Sequence, residues 1–225
     1  MYELFYWTTY MSYSSLMLLT PDTALGSIEA YQNSWLFAPV SWDIQLNSYI
    51  PDEIKTNYGI AKSLIGGPNA EELFRLTNKA INNSLCTSDR IVWELSHQQI
   101  FFTKDKELVA NSILEYYENH KNDTLLYDKE NPLQEDHIKN RWEEIAQDIM
   151  HIDTDKFKYF VLKCTSVDDG VERWFKYYDE EQDEPFKSTL KDYLTRKDSD
   201  IVELVNIEDG KITGFTSSRM DTFEL

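Results

Sequence analysis

Glu208, Asp209, Gly210 and Lys211 join two runs, DIVELVNI and KITGFT, that are rich in the branched residues a pleated surface accommodates. Aspartate followed by glycine accepts the positive φ of a two-residue turn, so the tract predicts a hairpin. A second tract, DDG at 168–170 between FKYFVLKCTSV and VERWFKYY, predicts another. Local hairpins commit a chain to antiparallel pairing, because parallel strands need long crossovers between them.

Helix signals stand beside these turns. In NPLQ, Asn131 can cap, Pro132 suits the first helical position and Gln134 can close a capping box, so a helix is predicted over 131–151. Its stripe is Ile138, Trp142, Ile145, Ala146 and Ile149. Asp105 opens another helix, with Leu108, Val109, Ser112, Ile113, Tyr116 and Tyr117 on one side. Asn69 can cap a third, whose stripe is Leu73, Phe74, Thr77 and Ile81. Residues 51–65 also carry helical spacing and stop at Gly66, Gly67 and Pro68.

Further expectations follow from the same rules. Thr20 and Pro21 predict a helix over 21–34, and a short helix is expected near 184–196. Residues 1–8 read as an interior strand, SWDIQLNSYI at 41–50 as a strand with one wet face, and RIVWELSHQQIFFTK at 90–104 as a long strand. Hairpins and helices without regular alternation predict an α+β fold, a mostly antiparallel sheet with helices packed on one face. No repeat or long linker interrupts the chain, so residues 1–225 read as one domain.

At 225 residues, with 41% hydrophobic side chains, the chain can bury a core without disulfides. Cys86 and Cys164 fit no redox or metal-ligand spacing and read as reduced, buried thiols. The N-terminal stretch lacks the basic and apolar regions of a signal peptide, and no apolar run is long enough to span a bilayer. A cytoplasmic location is expected.

Motifs for phosphate loops, dinucleotide binding, zinc proteases and nucleophile elbows are missing from the sequence, so it predicts neither an enzyme nor a cofactor. Glu144, Asp148 and His151 would share a helical face, as metal ligands do, but a solvated face explains the same spacing and no metal is expected there. His97 reads as part of a strand, and His120 as an imidazole meeting the last carbonyls of a helix. Cys164 reads as buried and inert.

Charge is the strongest functional constraint. The chain carries 40 acids and 22 bases, net −18, and the excess is concentrated in the C-terminal half. Direct nucleic-acid binding needs a basic stripe to neutralise phosphates, which this composition opposes. A basic protein partner suits it instead. The densest acidity is in WFKYYDEEQDEPF, where Asp179, Glu180, Glu181, Asp183 and Glu184 follow Trp174, Tyr177 and Tyr178. Aromatic anchors beside steering charges are a common composition for a binding site, so these eight residues are the candidate partner-binding set.

In size, acidity and lack of a catalytic motif the chain resembles the immunity proteins of bacterial toxin systems. That resemblance implies an intracellular inhibitor of a basic toxin or nuclease-like protein, and it assigns no residue a role. Two alternatives belong to other classes: an enzyme of a family without a recognisable motif, and a nucleic-acid mimic that inhibits a DNA-acting protein.

Overall fold

The computed structural model describes residues 13–19, 27–32, 36–57, 70–123, 136–165 and 201–219. Its fold is α+β, as the mixture of turn and helix signals predicts. The elements run β1 (Tyr13–Leu19), β2 (Ser27–Gln32), α1 (Ala38–Tyr49), α2 (Asp52–Asn57), α3 (Ala70–Asn82) and α4 (Thr87–Ser96). Then come β3 (Phe101–Phe102), a 3-10 turn (Thr103–Asp105), α5 (Lys106–His120), α6 (Asp136–Met150), β4 (Tyr159–Thr165), β5 (Ile201–Glu208) and β6 (Lys211–Arg219).

The larger sheet has the order β2-β1-β4-β3, and every described pairing in it is antiparallel. Leu16 faces Leu162 at the centre of the β1–β4 ladder. The second sheet is the β5–β6 hairpin, closed by Glu208 opposite Lys211, with Asp209 at φ 49° and Gly210 at φ 74°. These two left-handed residues make the turn that the Asp-Gly pair predicts. A parallel bridge between Ile100 and Leu204 ties the hairpin to the chain entering β3, with Val205 N donating to Ile100 O at 2.9 Å.

Helices α5 and α6 pack together, and their buried residues match the sequence stripes: Val109, Ala110, Ser112, Ile113, Tyr116 and Tyr117 against Ile138, Trp142, Ile145, Ala146 and Ile149. Trp142 is the hub. Its ring stacks on Tyr116 at 5.4 Å, meets Phe37 at 4.6 Å, and its Nε1 donates to Leu36 O at 2.8 Å. Truncating a buried tryptophan costs roughly 3–5 kcal/mol, so this contact contributes much of the α5–α6 pairing. The same core cluster takes in Tyr31 of β2, Phe160 and Leu162 of β4, and Val205 and Ile212 of the hairpin. Helix α6 lies against β1, and α4 against both β4 and β6.

Three sequence expectations are overturned. Of residues 41–50, all but the last belong to helix α1, which is buried nearly all round: Val40, Ile44 and Leu46 are inside, and so are Ser41, Asp43 and Gln45. The polar half of the apparent alternation is therefore buried and does not mark a wet face. Residues 90–96 complete helix α4, which is likewise encased, from Ile91 and Val92 to Glu94 and Ser96. Of the expected long strand only Phe101–Phe102 is a strand, with Ile100 before it in an isolated bridge. Within 21–34, Ser27–Gln32 is strand β2, held by its ladder to β1 and by Tyr31, whose hydroxyl donates to Asp148 at 2.7 Å. Long-range pairing outweighs a weak local helix preference there.

Other expectations fall outside the described residues: the strand over 1–8, the NPLQ capping box, the partner strand of the DDG hairpin and the helix near 184–196. Strand β4 itself forms, and its described neighbours are β1 and β3.

Candidate functional site

Helix α4 begins where α1 ends and α5 ends. Its first turn carries Asp89, a carboxylate only 5% exposed. Three helical regions satisfy it. From α1, Tyr49 donates its hydroxyl to Oδ2 at 2.6 Å. From the N-cap position of α4, the Cys86 thiol donates to Oδ1 at 3.0 Å. From the last residue of α5, Nε2 of His120 stands 3.5 Å from the same oxygen. The Asp89 main-chain carbonyl also accepts from Gln45 Nε2 at 2.9 Å, which adds a second tie to α1.

Burial works to raise the Asp89 carboxyl, but the hydrogen bonds from His120, Tyr49 and Cys86 outweigh it and hold the group below its ordinary value. Burial works to lower the His120 imidazole, and Asp89 with Asp123 outweighs that, so the ring stays protonated to higher pH. Its Nδ1–H donates to Asp123 Oδ2 at 2.8 Å. Burial pushes the Cys86 thiol up, so it is a protonated donor and a poor nucleophile. Cys86 is free and partly exposed.

A second cluster lies at the other end of α4. His97 sits among Trp93, Phe74 and Trp42, with ring centroids 4.0, 4.8 and 5.1 Å away. Its Nδ1–H donates to Trp93 O at 2.7 Å. Burial lowers the imidazole to about 4, so the ring is neutral across the physiological range. One turn earlier, Glu94 is buried between α4 and the hairpin. Desolvation, offset by Arg90 and reinforced by Glu203, brings its carboxyl to about 7.

The sequence candidates are placed as follows. His97 belongs to the end of helix α4 and not to a strand, for the packing reasons given above. His120 does close α5, but its ring meets two carboxylates and not the last carbonyls. On α6, the three residues of the shared face have separate partners: Glu144 pairs with Arg141 at 2.8 Å, Asp148 accepts from Tyr31, and His151 donates to Gln147 O at 2.7 Å. Among the described residues no group of three or more such side chains is arranged to hold a metal ion. Cys164 lies on β4. Trp174, Tyr177, Tyr178, Asp179, Glu180, Glu181, Asp183 and Glu184 lie outside the described residues.

Asp89, Tyr49 and Glu94 are residues that the sequence reading passes over. Cys86-Thr-Ser-Asp89 has the composition of a helix start, with an acid in the first turn, and could have marked the beginning of α4. Nothing local announces Tyr49, which reaches Asp89 across 40 positions.

Among the described residues no helix is long and apolar enough to cross a membrane. No protein-family model matches the chain, and no match is found among curated proteins or solved structures.

Proposed function

We propose that this chain is an acidic binding protein, an inhibitor or immunity-type protein that neutralises a basic, toxin-like or nuclease-like partner. The observation that carries the reading is the charge of −18, with 40 acids against 22 bases. Such a field attracts a cationic protein and repels nucleic acid. More than half of the net charge lies outside the described residues, and 179–184 is its densest run. In this reading Asp179, Glu180, Glu181, Asp183 and Glu184 steer the partner, while Trp174, Tyr177 and Tyr178 supply buried contact area.

The perturbed groups at the start of α4 are engaged with one another: the Cys86 thiol and Tyr49 hydroxyl donate inward to Asp89, and His120 is held between two carboxylates. An enzyme is the second reading, favoured by the meeting of a thiol, a carboxylate and an imidazole at that same point. Against it stands the thiol's raised proton affinity.

The test is co-purification from the native host at low salt. One basic protein retained by the chain, and released as salt rises, supports the proposal. Retention that is unchanged when the five carboxylates of 179–184 are made amides contradicts the assigned contact. Retention of acidic or neutral proteins only contradicts the function itself.

A further inference from the structure

The ring of His120 faces an acceptor at each nitrogen: Asp123 Oδ2 at Nδ1, 2.8 Å away, and Asp89 Oδ1 at Nε2, 3.5 Å away. Only the imidazolium has a proton for both, because a neutral imidazole carries a single N–H. We propose that His120 is a proton-operated latch: the protonated ring ties the last turn of α5 to the first turn of α4, and its deprotonation releases them.

The neutral ring keeps its shorter bond to Asp123 and turns a lone pair toward Asp89. Asp89 is too buried to recruit bulk water as a replacement. Both helix ends favour the closed state, since an acid at the start of α4 and a cation at the end of α5 each complement a macrodipole.

The other titratable groups facing the contact are Tyr49 from α1, Cys86 from the N-cap position of α4 and Tyr116 from α5. Burial raises all three, so they stay protonated through neutral pH. Asp89 stays ionised over the same range. On the same turn of α5, Glu118 and Lys121 pair with each other on the exposed side.

Amide hydrogen exchange tests the latch, with rates corrected for the intrinsic effect of pH. Protection over residues 116–120 should fall by about tenfold or more between pH 6 and pH 9, while the interior of α6 keeps its protection. His120→Gln, which retains a donor without the titration, should remove the pH dependence. Constant protection of α5 in the wild-type protein overturns the proposal, and this arm decides the matter even where the variant does not fold. Parallel loss in α6 also overturns it, since the whole fold would then be opening, as does an unchanged pH response in His120→Gln.

Discussion

Nε2 of His120, the last residue of α5, lies 3.5 Å from Oδ1 of Asp89, in the first turn of α4. The same carboxylate takes the Tyr49 hydroxyl, so three helices share one buried charge. Removing it takes one acceptor away from the Tyr49 hydroxyl, the Cys86 thiol and Nε2 of His120. Asp89→Ala should therefore cost roughly 3–5 kcal/mol. Asp89→Asn, which keeps one acceptor oxygen, should cost less. Urea denaturation measures both, and a loss below about 1 kcal/mol for the alanine variant would show that the helices do not depend on this charge.

The pH dependence of stability has a defined sign for each perturbed group. His97, lowered from 6.5 to about 4, disfavours the fold as pH falls through that interval. Glu94, raised from 4.5 to about 7, disfavours it as pH rises through its own interval. The two slopes oppose each other between about 4.5 and 6.5 and largely cancel. Above that, Glu94 and the raised His120 both remove stability. Glu94→Gln should therefore give a melting temperature that rises with pH between about 4.5 and 6.5, where the wild type is nearly flat. A flat profile in the variant would mean that His97 contributes no slope there, and beside a flat wild type it would mean that Glu94 contributes none either.

Helix α4 ends on Gln98 at φ 61°, with Gln98 N bonded to Leu95 O and Gln99 N to Glu94 O, both at 3.1 Å. This is a Schellman closure with glutamine where glycine is usual. Gln98→Gly should relieve about 1 kcal/mol of backbone strain, partly offset by the freer unfolded chain. Thermal unfolding will show a small gain, and a clear loss would mean that the glutamine side chain outweighs its backbone cost.

Legibility in the sequence followed packing. Helices α5 and α6, with one wet face each, announce their stripes residue by residue, and the β5–β6 turn is set by Asp209 and Gly210. Helices α1 and α4 are buried on almost every side, so neither contains the polar face from which a helical period is read. Asp43 and Gln45 imitate the wet face of a strand although both are inside. The branched Ile91 and Val92 imitate strand composition although they line a helix. The Asp89 cluster was illegible for another reason: Tyr49, Asp89 and His120 are distant in sequence, and only the docking of three helices brings them together.

The proposed function requires that this acidic chain attract a basic partner by electrostatic steering. Its most direct test is the association rate with the co-purified partner across a range of salt concentrations. The wild-type rate should fall steeply as salt rises. The variant Asp179→Asn, Glu180→Gln, Glu181→Gln, Asp183→Asn, Glu184→Gln should associate more slowly at low salt and show a flatter dependence. A wild-type rate that is insensitive to salt would rule out electrostatic steering.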